Sequence, residues 1–128
     1  MQLPLDQKEK RRHLNPMLVY KILRRDEWEQ LKSDGQTMGS AVDIQDGFVH
    51  FSTTQQLGGT AAKHFTGETG LTLLACDGAS MGERLHWEPS RGGALFPHLY
   101  STLSLQDVLW HQPLELGPNG HILPDNLP

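Results

Sequence analysis

One cysteine among 128 residues rules out an internal disulfide, and its place in the apolar run Leu71-Thr72-Leu73-Leu74-Ala75-Cys76 suits a small buried hydrophobe. A strand of that kind raises a thiol's pKa, so nucleophilic chemistry through Cys76 is not expected. Long apolar runs are missing too. No stretch reaches bilayer length, and Met1-Gln2-Leu3-Pro4-Leu5 is too short for a signal-peptide core, so the reading is a cytoplasmic protein without a membrane partner.

Basic charge is scarce outside the first sixteen residues. Lys8, Lys10, Arg11 and Arg12 stand there against Asp6 and Glu9, which leaves the rest of the chain 7 of the 11 basic residues and 13 of the 15 acidic ones. A net charge of −6 over residues 17–128 argues against an extended nucleic-acid surface but allows a small anionic ligand held by one or two placed donors such as Arg91. Residues 1–16 read as a flexible basic extension, residues 17–117 as a single globular domain and residues 118–128 as a tail. No feature fixes an oligomeric state.

Metal-binding patterns are also lacking. Seven histidines occur, yet there is no His-Glu-x-x-His, no Cys-x-x-Cys and no tight His-x-His pair, so no metal is expected. Ser90-Arg91-Gly92-Gly93 lacks the lysine and spacing of a phosphate loop.

What is present reads as short strands alternating with short helices. Leu18 to Leu23 is rich in β-branched and aromatic residues and predicts a first strand beginning near residue 17. Asp26, with Glu29 three residues on, predicts the start of a helix that buries Trp28 and Leu31 and ends near Gly35. Gln45-Asp46-Gly47 reads as a turn into Phe48-Val49-His50-Phe51-Ser52, where alternation puts Val49 and Phe51 on a core face and His50 and Ser52 on a polar one. Ser52 with Gln55, or Thr53 with Gln56, has capping-box spacing for a helix carrying Leu57, Ala61 and Phe65. Gly58 and Gly59 inside that helix suggest a close approach by another backbone or a ligand.

Residues 71–76 predict a strand covered on both faces, in the middle of a sheet. Arg84 to Glu88 alternates, with Leu85 and Trp87 inward and His86 and Glu88 outward. Residues 89–93 read as a mobile loop, residues 96–101 as extended, Ser104 as the cap of a single turn, and a last strand ends near Leu116.

Glu88, Arg91, His98 and Tyr100 gather a carboxylate, a guanidinium, an imidazole and a phenol around glycines that let a ligand approach the backbone. With His50 and Ser52 they outline a cleft for a nucleotide-like ligand. A plainer reading makes Ser52 a helix cap and His50 a half-buried histidine. A third makes Trp87, Phe96, Pro97 and Tyr100 an aromatic surface for a metabolite or partner protein.

Tyr20-Lys21-Ile22 with Trp28, then Asp46-Gly47-Phe48-Val49-His50-Phe51-Ser52-Thr53, then Trp87-Glu88 and Phe96-Pro97-His98-Leu99-Tyr100 resemble the bacterial domain-of-unknown-function family nine-five-two across residues 18–116. The resemblance implies an α+β fold with a split, largely antiparallel sheet and two or three short helices, similar to the ADP-ribosyltransferase superfamily. That superfamily holds NAD in a cleft, commonly with a histidine or arginine, a serine or tyrosine, and a glutamate. By resemblance, Tyr20 or Lys21 stands at the first-strand position that meets the nicotinamide ribose, Lys21 in place of a histidine. His50, Ser52 and Thr53 fall near the second strand of the cleft, Glu88 and His50 are the candidate catalytic pair, and NAD is the implied cofactor.

Overall fold

The computed structural model describes residues 17–125 and 127, so the predicted basic extension lies outside the described residues. Strand β1 (Leu18–Leu23) runs as the sequence suggests. Helix α1 (Arg25–Asp34) starts earlier than an Asp26 cap would have it: Glu27 Oε1 accepts the Arg24 backbone N–H at 2.8 Å, and Asp26 sits inside the first turn. There its charge meets the positive end of the helix dipole. Gly35, at φ 78°, ends the helix, and Trp28 and Leu31 are buried beneath it.

After β2 (Gln36–Thr37) comes a short helix the sequence reading lacks, α2 (Ala41–Asp46), so Gln45-Asp46-Gly47 is a helix end and not a free turn. Ser40 and Asp43 cap it reciprocally, and Gly47 closes it at φ 87°. Strand β3 (Val49–His50) leads to α3 (Thr54–His64), whose capping box is the Thr53 and Gln56 pair. Strand β4 (Leu71–Asp77) is followed by α4 (Gly78–Met81) and β5 (Leu85–Pro89). A turn containing Gly92 and Gly93, both at positive φ, reverses the chain into β6 (Leu95–Leu99). Strand β7 (Leu103–Ser104) precedes a 3₁₀ turn capped by Ser104, and β8 (Val108–Leu114) follows. The last predicted strand is thus broken: β8 stops at Leu114, and β9 (Leu116–Gly117) pairs with β10 (Gly120–His121) as a separate hairpin.

The molecule is mixed α and β, with antiparallel sheets and a few short helices. One three-stranded sheet has the order β1-β4-β8, with β4 in the middle, and a second has the order β3-β6-β5. They meet at one bridge, where Tyr20 and Ser52 exchange both backbone hydrogen bonds at 2.8 and 2.9 Å. Val19, Leu23, Leu31, Val49, Phe51, Leu74 and Leu99 form a core on one side of the first sheet. On the other side Tyr20, Ile22, Leu73, Ala75 and Leu114 pack under Leu57 and Ala61 of α3, and Leu123 joins them from beyond β10.

Trp87 departs from expectation. It is 40% exposed, because the core covers only the Leu85 end of β5, an edge strand of its sheet. Phe96 and Pro97 are buried, so the proposed aromatic surface reduces to Trp87 and Tyr100. Among the described residues no helix is long and apolar enough to cross a membrane.

Candidate functional site

Past the Tyr20–Ser52 bridge the two sheets diverge, and α2, α3 and the β5–β6 turn close the gap into a cleft of about 430 Å³. Of the residues expected at a site, Tyr20, Lys21, His50, Ser52, Arg91 and His98 line it. Thr53, Glu88 and Tyr100 do not. Thr53 is spent on capping α3, accepting the Gln56 N–H at 3.3 Å. Asp43, Asp46, Thr60 and His64 also line the cleft, and sequence reasoning singled out none of them.

One wall is an ion network. The buried Lys21 ammonium donates to Asp43 Oδ2 at 2.6 Å and to the His50 carbonyl at 2.9 Å. Asp43 Oδ1 lies 2.5 Å from His50 Nδ1 and also accepts the His50 backbone N–H at 3.1 Å, while Oδ2 takes the Ser40 N–H. Burial opposes the Asp43 charge, but the His50 bond, the Lys21 ammonium and the Ser40 N–H outweigh it and hold the carboxyl at about 2. His50 Nε2 faces Asp46 Oδ2 at 3.0 Å, so both nitrogens of the ring meet carboxylates.

The opposite wall is cationic and hydroxylic. The Arg91 guanidinium lies 4.8 Å over the Phe96 ring, and its Nη2 makes long 3.4 Å contacts with the Gln56 carbonyl and Thr60 Oγ1. Gly59 admits it: a Cβ there would stand 3.1 Å from Nη2, so the close approach expected at the two glycines is made by a side chain and not by a backbone, and at Gly59 alone, since a Cβ at Gly58 would meet only Leu123 at an ordinary 3.7 Å. Thr60 Oγ1 also pairs with Ser52 Oγ at 2.7 Å. Partial burial, then the positive charges of Arg91 and Lys63, push His64 below the usual histidine value. Tyr20, in the floor, has a buried hydroxyl without a hydrogen-bond partner among the described residues.

Glu88 stands behind the cleft. Its Oε1 lies 2.7 Å from His98 Nδ1 and accepts the Tyr100 hydroxyl at 2.8 Å. Those two bonds hold the Glu88 carboxyl below the usual range, and the same carboxylate raises the Tyr100 phenol. Phe48 stacks on His98 at 4.2 Å and touches the rings of His50 and Tyr100, tying two motif segments together. The expected placement of Glu88 and Tyr100 in the lining is therefore corrected: they reach the cleft only through His98.

No group of three or more His, Cys, Asp or Glu side chains among the described residues has a metal-holding arrangement. Cys76 is buried, and burial followed by nearby Asp107 pushes its thiol far up, which removes it as a nucleophile. The arrangement offers instead an anion-binding fork, a hydroxyl pair, and two imidazoles with carboxylate partners.

Two solved structures have the same fold. The crystal structure of protein CC0527 from Caulobacter crescentus, a structural-genomics target, superimposes with a TM-score of 0.79 at 48% identity, covering 82% of this chain and 92% of that one. The solution NMR structure of CC0527 gives a TM-score of 0.73 at 49% identity, covering 81% and 90%. No curated protein matches the chain. The model of a family described as "Protein of unknown function (DUF952)" matches residues 22–111, and the chain belongs to that family.

Proposed function

We propose that the cleft binds a small phosphate-bearing, nucleotide-like ligand, with NAD and ADP-ribose the first members of that class. Arg91 carries the reading. Its guanidinium faces the cleft with no carboxylate partner among the described residues, stacked on Phe96 and held only by two 3.4 Å contacts. Such a planar fork matches a phosphate in bidentate fashion. The unpartnered Tyr20 hydroxyl supports the same reading, since a buried donor without a partner costs stability unless something satisfies it. So does the volume of the cleft, which falls within the range of small-molecule sites. The choice of NAD and ADP-ribose rests on the resemblance to the ADP-ribosyltransferase superfamily.

Calorimetry with NAD, ADP-ribose and a ribose 2′-phosphate tests the proposal. Saturable heat from at least one of them, weakened tenfold or more by Arg91→Ala, is the expected result. No heat from any of the three at millimolar concentration discards this ligand class. Nicotinamide release from NAD, followed in the same samples, tests the transferase expectation separately.

A further inference from the structure

Alternation along β6 puts Phe96, His98 and Tyr100 on one face, and the strand register lays Glu88 beside Phe96, His86 beside His98, and His50 beside His98 from the other side. Arg91 sits on Phe96, and two residues further along the same face, about 6.6 Å at the usual strand rise, stands His98. The anion fork and an imidazole are thus neighbours in one cleft.

His98 Nδ1 meets a carboxylate that can only accept, so Nδ1 carries the ring proton of the neutral imidazole and Nε2 presents a lone pair. Nε2 has no hydrogen-bond partner among the described residues, and His98 lines the cleft. Charged and titratable groups surround the ring from each element packed on it. They are Glu88 and His86 on β5, Tyr100 after β6, His50 on β3 backed by Asp43, Asp46 and Lys21, and Arg91 in the β5–β6 turn.

We propose that Glu88 and His98 form a carboxylate–imidazole dyad that supplies a general base to the cleft, and that the protein hydrolyses phosphodiesters held there by Arg91. This inference rests on the cleft being a phosphate site. Nε2 removes a proton from water as the water oxygen bonds to phosphorus. The bond from phosphorus to the leaving oxygen breaks, and that oxygen keeps the electron pair. The products are a phosphomonoester and the released alcohol or phenolate, with the proton passing from His98 to the leaving group or to solvent. His98 is the catalytic residue. Glu88 is a positioning residue that fixes the tautomer and stabilises the imidazolium.

The probe is bis(4-nitrophenyl) phosphate, whose nitrophenolate leaves without needing an acid, used with the full chain alongside ADP-ribose calorimetry. The wild-type protein is expected to release nitrophenolate catalytically. His98→Ala lowers it a hundredfold or more, within the span that general base catalysis contributes. Glu88→Gln, at a half-exposed position, keeps the fold, lowers the rate about tenfold or more and lets the His98 ring proton redistribute to Nε2 in the nitrogen-15 spectrum. Nitrogen-15 NMR of the wild-type protein shows His98 protonated at Nδ1. Release that survives His98→Ala unchanged overturns the proposal, as does a His98 tautomer protonated at Nε2. A protein that binds ADP-ribose but releases no nitrophenolate also overturns it, and leaves the binding reading intact.

Discussion

Asp43 binds a lysine, a histidine and two backbone N–H groups with two oxygens, and nothing in its sequence surroundings announces it. Lys21, its ionic partner, lies 22 positions away. The one local sign is the Ser40-x-x-Asp43 spacing, which marks a helix start and says nothing of a buried charge. Asp43→Asn strands the buried Lys21 ammonium and is expected to destabilise the fold by about 3 to 5 kcal/mol in urea unfolding. Because the folded value of about 2 lies below the ordinary 3.8, the Asp43 contribution is fully present above about pH 4 and is lost as pH falls through about 2. The shift corresponds to about 2 kcal/mol, so the wild-type protein loses stability across that window and Asp43→Asn does not show this component. Phe51 and Trp87 separate in the same assay. Phe51→Ala empties a core position and is expected to cost about 3 to 5 kcal/mol, whereas Trp87→Ala, at a 40% exposed site, costs about 1 kcal/mol or less. Alternation alone assigns Trp87 to the core, since it reveals which residues share a face and not how far that face is covered.

At the scale of elements, β1, β3 and β4 were legible because their burial follows their pattern: β1 and β4 are apolar runs with covered faces, and the segment around β3 alternates. Helix α2 was not. It has only six residues, and Val42 and Ile44 point outward, so no apolar stripe betrays it. Helix α3 was legible through its cap and its Leu57, Ala61 and Phe65 spacing, but of its two glycines only Gly59 meets a close neighbour, the side chain of Arg91, 32 positions further on. Gly59→Ala should therefore separate stability from binding. Alanine favours the helix by up to about 1 kcal/mol, so the melting temperature is expected to hold or rise. The new methyl crowds Nη2 and displaces the guanidinium from Thr60, so ADP-ribose affinity is expected to fall several-fold by calorimetry. Unchanged affinity would mean that Arg91 does not grip the ligand from this position.

Across the whole molecule, one bridge between Tyr20 and Ser52 joins two antiparallel sheets, and the cleft exists because the strands part beyond it. Segments 20–22, 46–53 and 96–100 meet there, so His50, Ser52 and His98, named from sequence, line the cleft, and Arg91 joins them from the β5–β6 turn. The position of Glu88 outside the lining could not be read from sequence. Glu88 shares the sheet face of Phe96 and His98 but stands one strand further out, on the edge strand β5, and strand order is set by pairing and not by the order of residues. The most direct measurement of the central claim is a nitrogen-15 NMR titration of the full chain with ADP-ribose, repeated on Arg91→Ala. The account predicts saturable shifts concentrated at Tyr20, Ser52, Gly59, Thr60, Arg91 and His98, and loss of most of that response in the variant. Shifts scattered away from the cleft, or a response at those residues that Arg91→Ala leaves unchanged, would contradict it.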